Sequence, residues 1–333
     1  MESLYIIEPG SYMKVSGKSI KIEKKGQVIE EIPASDLKRL TLAGRCSMTG
    51  AVLDFLIENG IETVFMTLTG RFRARLLLDA PGHVELRQLQ YERLGKKDFC
   101  LQTARFMVLS KIENQLRLLR KRRPSAKDPN FKKLHLQLLS LKRRAKISKN
   151  LDELRGIEGS ASRIFYQGFG LLIKNQDFSF TGRNRRPPKD EINALLSFVY
   201  TLFTNEVLNA IKSNGLDPYL GALHEPLSGR PSLACDLVEE WRALAEGFVL
   251  TLVNKKMVTK QDFIATGKKK RPIEMAPPFL RALIRTYEKV MSKQISWNNQ
   301  QMKIRWAIHQ RIRDFISYLK TPERGIPKRA IPI

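Results

Sequence analysis

Arg71-Phe72-Arg73-Ala74-Arg75-Leu76-Leu77-Leu78-Asp79-Ala80-Pro81-Gly82 is where the chain changes character. Phe72, Ala74 and Leu76 alternate with Arg71, Arg73 and Arg75, the two-residue period of a half-buried strand, and Pro81-Gly82 then breaks the run. Upstream, the β-rich segments 3–8, 12–16, 19–24 and 27–32 are separated by Pro9-Gly10, Gly17 and Lys25-Gly26, which is hairpin chemistry. Segments 37–42 and 63–68 are also β-rich, and between them residues 48–58 space Val52, Phe55 and Leu56 helically before Asn59-Gly60 stops the helix. Downstream, Gly and Pro become rare through helical patterns at 97–123, 130–146, 149–174, 189–214, 232–255, 278–295 and 296–320. The expected class is α+β: a small antiparallel β domain, sandwich-like, over 1–84; a linker at 85–95; an all-α domain over 96–320; and a flexible tail at 321–333.

The chain has 333 residues, long enough for two cores, and at 42% hydrophobic it excludes wholesale disorder. No apolar run approaches the roughly 20 residues of a bilayer span, and the N-terminus lacks a basic-then-apolar signal pattern, so a cytoplasmic protein with no membrane role is expected. Cys46, Cys100 and Cys235 stand apart without CxxC spacing, which argues against a disulfide framework or a zinc ribbon. The net charge is +26, and its placement is uneven. Residues 1–92 balance 12 basic against 12 acidic side chains; residues 93–149 carry 18 against 3, and residues 150–333 carry 29 against 18. All the excess lies behind the β domain, which points to a polyanion, most often nucleic acid, as the partner of the helical part.

Three features could carry chemistry. Glu158 sits in a helix otherwise apolar on its packing faces, followed by the small residues Gly159, Ser160 and Ala161. A carboxylate there needs an ion pair, for instance with Arg155 or Arg163, or a metal. His224 lies in the turn-rich loop Gly215-Leu-Asp-Pro-Tyr-Leu-Gly-Ala-Leu-His224-Glu-Pro226, ahead of a helix for which Ser232 is a candidate N-cap. Asp236, Glu239 and Glu240 then stand at i, i+3 and i+4, neighbouring positions on one helix face. Together, Glu158, His224 and one or both of Asp236 and Glu239 offer oxygens and one nitrogen that suit Mg²⁺ or Mn²⁺ acting on phosphodiesters. His83, His135 and His309 have no such company. Between these features, Arg183, Arg185 and Arg186 crowd a Gly/Pro-bounded loop suited to phosphate, with Lys189 beside it and Arg230 further on as additional DNA contacts.

These blocks resemble a known family. Arg183-Asn-Arg-Arg-Pro-Pro-Lys-Asp190 with Asn193-Ala-Leu-Leu-Ser-Phe198, then the His224 loop, then Arg230-Pro-Ser-Leu-Ala-Cys-Asp-Leu-Val-Glu-Glu-Trp-Arg242, together with Ile157-Glu-Gly-Ser-Ala-Ser-Arg-Ile-Phe165, are similar to the CRISPR-associated spacer-acquisition integrases, the Cas-one family. The resemblance implies a metal set of Glu158, His224 and Glu239, with Asp236 one turn away. It implies a homodimer formed through the β domains and a complex with a small ferredoxin-fold adaptation partner on double-stranded DNA. The implied activity is that of a metal-dependent integrase and endonuclease of antiviral CRISPR defence, in which a 3′-OH of a captured duplex attacks the array. A related mobile-element integrase, or a DNA-bridging protein of the same fold without catalysis, would share these features.

Overall fold

The structure is a computed structural model, and it describes residues 3–67, 72–76, 83–123, 129–185, 187–269, 271–297, 299–327 and 331. The chain forms two compact units, Met1–Pro81 with Met275–Tyr287, and Gly82–Glu274 with Glu288–Ile333.

The first unit holds β1 (Ser3–Ile6), β2 (Tyr12–Ser16), β3 (Ser19–Lys24), β4 (Gln27–Pro33), β5 (Arg39–Ala43), β6 (Ser47–Met48), α1 (Gly50–Glu58), β7 (Glu62–Met66) and β8 (Phe72–Leu76). Lys25 and Gly26 both adopt positive φ, as a two-residue primed turn requires, and they join β3 to β4. One four-stranded sheet runs β4-β3-β2-β6 and the other β1-β5-β7-β8. The purely antiparallel expectation needs correction here: β1/β5, β5/β7 and β2/β6 pair in parallel. Turn residues reveal only local hairpins, whereas parallel partners need a longer excursion, which α1 supplies between β5 and β7. Leu4 and Ile6 from β1, Met13 from β2, Ile20 and Ile22 from β3, Leu40 and Leu42 from β5, and Val52 and Leu56 from α1 share one core. Each such side chain contributes about 1.5–3 kcal/mol of burial. The chain returns to this unit late: in α9 (Pro277–Met291), Phe279, Leu280, Leu283, Ile284 and Tyr287 are buried along one face. Arg281 Nη1 donates to Glu8 Oε1 at 2.6 Å, while Lys24 Nζ holds Glu8 Oε2 at 2.5 Å.

The second unit contains α2 (Val84–Gly95), α3 (Lys97–Arg122), α4 (Pro129–Ile147), α5 (Leu151–Leu171), α6 (Glu191–Ser213), α7 (Ser232–Val238), α8 (Arg242–Asn254) and α10 (Ile304–Lys320). The segment expected as a linker is α2, and Gln90 within it is fully buried. Helix α5 starts at Asn150, whose side chain caps Glu153 N, and buries Leu154, Ile157, Ala161, Phe165 and Phe169 on one stripe. Helix α6 is long and apolar enough to cross a bilayer by length and composition, and 78% of that window is buried inside the protein, where it forms core. Two hairpins stand where the sequence suggests no strands: β9 (Phe263–Lys268) with β10 (Arg271–Met275) in the gap between the expected helices 232–255 and 278–295, and β11 (Gln294–Trp297) with β12 (Gln300–Lys303) across the junction of 278–295 and 296–320. Asn299, at φ +60°, lies in the second turn, a local feature that a helix-period reading passes over. The tail is not loose in its described part: Arg311 Nη1 binds Pro327 O at 2.7 Å, Arg117 Nη1 binds Ile331 O at 3.1 Å, and Ile331 is buried.

Glu8 has its carboxyl pKa held below the ordinary 4.5, chiefly by the Lys24 hydrogen bond and against a smaller upward push from burial. A pKa lowered by folding gives stability that is complete above the unfolded value and lost as pH falls through the folded one. Glu8→Gln should cost up to about 1 kcal/mol at neutral pH and nothing in strong acid. Thermal melts of parent and variant across this range should converge as the pH falls.

Candidate active site

A single fully buried carboxylate organises the His224 loop. Asp236 on α7 accepts the backbone N–H groups of Ala222 (2.6 Å), Leu223 (3.0 Å) and His224 (3.0 Å), and its Oδ1 lies 2.6 Å from His224 Nδ1. Because an ionised carboxylate only accepts, Nδ1 carries the proton of that contact, and Nε2 is the nitrogen whose lone pair the neutral ring would offer. Gly221 makes the approach possible, since a Cβ there would meet the Ser232 carbonyl carbon at 2.8 Å and its oxygen at 2.9 Å, as well as Asp236 itself. The loop is fastened from outside as well: Gln90 Nε2 donates to Asp217 O (2.8 Å) and Leu220 O (3.1 Å), and Arg155 Nε donates to Leu223 O (2.8 Å). Ser232 does not cap α7; Pro231 takes that position, and the Ser232 hydroxyl donates to Glu225 O at 2.9 Å.

The expected continuous helix 232–255 breaks at a 3₁₀ turn, Glu239–Trp241, between α7 and α8. That break sends the three acids in different directions, so they do not form one face. Asp236 turns to His224. Glu240 takes a bidentate pair from Arg311, at 2.6 and 2.7 Å, while Asn114 Nδ2 holds its carbonyl at 3.0 Å. Glu239 Oε2 lies 2.6 Å from Lys111 Nζ, and Glu239 Oε1 lies 2.8 Å from Arg242 Nε. On the other side, Lys111 Nζ also bonds Glu158 Oε1, which accepts from Ser162 Oγ at 3.0 Å as well. The ammonium of Lys111 therefore bridges Glu158 and Glu239, with a side chain only 5% exposed. Burial by itself would raise the Glu239 pKa, but Arg242, Lys111 and His224 hold it at about 2. Burial likewise pulls the Lys111 pKa down, and Glu239 and Glu158 more than reverse this. Behind Arg242, its guanidinium stacks 4.6 Å from the Tyr200 ring, and Tyr200 donates to the buried Glu246 at 2.7 Å.

The sequence-selected residues thus divide. Glu158 and Glu239 meet on Lys111, His224 acts on Glu239 only through its electrostatic field, and Asp236 serves His224. Arg155 is taken by the loop, Asp152 and Glu225, so it is not the partner of Glu158. Arg183 is mostly withdrawn from phosphate duty: its guanidinium binds Asn193 Oδ1 (2.8 Å) and Ser197 Oγ (3.0 Å), bonds Asn184 O, and lies over Tyr200. Arg185 and Lys189 are exposed, Arg230 is half-buried against Glu225 O, and Arg186 lies outside the described residues. Lys111 was missed by the reading of the sequence, though a signal existed. In α3 it falls in the buried stripe Ala104, Met107, Val108, Ile112, where a lysine needs a partner. Among the described residues, no three His, Cys, Asp or Glu side chains converge as a metal ion would need; the two carboxylates converge on the ammonium instead.

The sequence profile of the family described as CRISPR associated protein Cas1 matches residues 4–289. The chain belongs to the Cas1 family. It is 35% identical over 271 residues to the CRISPR-associated endonuclease Cas1 1 of Moorella thermoacetica, covering 79% of each chain. It is 33% identical to the CRISPR-associated endonuclease Cas1 3 of Thermus thermophilus, covering 84% of this chain and 82% of that one. A Cas1 protein from Thermotoga maritima has the same fold, with a TM-score of 0.83 over 99% of this chain and all of the other at 24% identity. A casposase bound to integration product shares the fold too, with a TM-score of 0.84 at 20% identity over 100% and 96% of the two chains.

Gly221→Ala should push the loop off Asp236 and cost about 1–3 kcal/mol, an overpacking penalty. Urea denaturation midpoints compared with a control Gly159→Ala, where a Cβ meets nothing within 4 Å, check this.

Proposed function

We propose that this Cas1-family protein is a divalent-metal-dependent DNA integrase and endonuclease of CRISPR adaptation, with Glu158, His224 and Glu239 as metal ligands. One observation supports the reading above the rest: two carboxylates from different elements already close on a single buried cation, and an imidazole whose Nδ1 is engaged acts electrostatically on one of them. Hard oxygens with one imidazole nitrogen suit Mg²⁺ or Mn²⁺, so the donor set fits by chemical type, with the two carboxylates gathered on Lys111. When bound, such an ion would offset charge on a phosphodiester and lower the pKa of an attacking hydroxyl.

The chain's own groups supply the rest. Asp236 fixes the His224 ring and its tautomer, so Nε2 is presented without rotational cost. Arg311 and Asn114 hold the 3₁₀ turn that carries Glu239, and Arg242 orients its second oxygen. Exposed Arg185 and Lys189, with Arg230, would steady backbone phosphates, while Arg183 braces their loop from inside. In the reaction, a 3′-OH of the captured duplex attacks phosphorus at a repeat boundary. A new P–O bond forms as the old one breaks, and the repeat strand leaves with a free 3′-OH. Because one phosphodiester replaces another, the same site can run in reverse, or accept water and cut. The homologues' names carry the endonuclease activity, and neighbours of the same fold include a Cas6-RT-Cas1–Cas2 complex (TM-score 0.84, 21% identity). A homodimer joined to a small ferredoxin-fold partner on double-stranded DNA is therefore the proposed assembly.

A mobile-element integrase is the second reading, favoured only by the fold shared with the casposase. Purified protein with its small partner, a short duplex and a supercoiled plasmid should join DNA with Mn²⁺ and not with EDTA when the plasmid carries a CRISPR repeat. Repeat-independent joining would favour the second reading. His224→Ala should abolish joining, and a fully active variant overturns the site. Asp236→Asn should weaken Mn²⁺ binding by roughly 10–100-fold, read by calorimetry.

The basic surface carries a separate expectation. Arg143, Arg144 and Lys146 on α4 are exposed, and α3 and α4 lie in the most cationic stretch of the chain. Replacing these three with Ser should weaken DNA binding and lower its salt slope by about 0.9 for each phosphate no longer neutralised. Titrations by fluorescence anisotropy at several salt concentrations measure that slope.

A further inference from the structure

The Lys111 ammonium occupies the position toward which Glu158 and Glu239 both point, and its role there goes beyond neutralising one carboxylate. Two negative charges, on Glu158 and Glu239, face two positive charges, on Lys111 and Arg242, in a pocket where Glu239 and Lys111 are 4% and 5% exposed by side chain. The set is balanced as it stands. A divalent ion added to it would leave two uncompensated positive charges in a poorly solvated space, at a cost that no remaining carboxylate in the set offsets. The Arg242 guanidinium is held on its far side by the Tyr200 ring and lies near Glu246, so it has no reason to leave. Lys111 is different: its charge sits at the end of a flexible four-carbon stem.

We propose that Lys111 is a resident stand-in for the metal, closing the Glu158/Glu239 pair in the metal-free protein and leaving it when the divalent ion binds. The proposal rests on the reading of Glu158 and Glu239 as ligands. It deepens that reading in two ways. The metal-free site stays folded because the ammonium suppresses carboxylate repulsion. The ion must also compete with a tethered cation, so apparent affinity is the intrinsic affinity multiplied by the fraction of sites that Lys111 leaves open. A metal threshold is thereby set by a residue that is not itself a ligand.

Two measurements on the full-length, chelator-treated protein decide it. In the first, wild-type protein is treated with an amine-acetylating reagent with and without saturating Mn²⁺, and Lys111 acetylation is read by mass spectrometry. Protection without metal and modification with it support the exchange; modification that Mn²⁺ does not change overturns it. In the second, Lys111→Met and Glu158→Gln are titrated with Mn²⁺ by calorimetry. Lys111→Met should bind roughly tenfold tighter or more than the parent, and its metal-free melting temperature should fall and recover with Mn²⁺. Equal or weaker binding by Lys111→Met overturns the stand-in role. Mn²⁺ binding that Glu158→Gln leaves unchanged overturns the ligand reading beneath it. Should Lys111→Met fail to fold, the acetylation of wild-type protein still gives the answer.

Discussion

The Asp236 carboxylate, sealed from solvent, accepts three backbone N–H groups and one imidazole N–H at the same time. An isolated carboxylate could not be buried this way, and hydrogen bonds to a charged group contribute about 1.5–3 kcal/mol each. That one anion therefore replaces the regular ladder bonds that the loop before α7 does not have. It fixes where Ala222 to His224 run, and it needs Gly221 without a side chain. The position of His224 follows from these constraints. Remove the anion and only the outer fastenings from Gln90 and Arg155 still hold the loop.

Around this anchor the charges are arranged in tiers. Arg311 and Glu240 form a closed pair beneath the 3₁₀ turn; Arg242 and Lys111 flank Glu239 above it; Tyr200 and Glu246 sit behind Arg242. Burial raises the Glu246 pKa, and the Tyr200 hydrogen bond only partly opposes this. Pairs of this kind are costly to bury and gain little net stability. Their return is geometric, because each fixes the orientation of its neighbour. The large positive charge of the molecule is a different matter. It is solvated, spread over α3, α4 and the loops, and acts at long range on a polyanion rather than on the fold.

The division into strands first and helices afterwards was legible because periods of two and of 3.6 residues, with Gly and Pro between them, are local signals. So were Glu158 and His224, whose residue types were out of place in their surroundings. Other features were not legible for a common reason: they depend on contacts remote in sequence. The parallel partners of β1 and β5 are 36 residues apart in register, Ser3 with Arg39. The separation of Asp236, Glu239 and Glu240 depends on a helix break that no Gly or Pro announces. The inward turn of Arg183 depends on Asn193 and Ser197, which an Arg-rich string does not display. Lys111 had its signal in the stripe of α3, but its two partners lie 47 and 128 residues further along.

The strand-rich unit is not continuous in the chain, since Met275–Tyr287 belongs with Met1–Pro81. During synthesis the first eight strands emerge early, yet their unit lacks its last helical face until residue 287 has left the ribosome. At the roughly 5–20 residues per second of translation, that gap is about 10–40 s. The helical unit is completed later still, because its α10 core residues follow residue 287. The same topology means that neither unit can be cut out, swapped or fused as an uninterrupted cassette; the two must be inherited together.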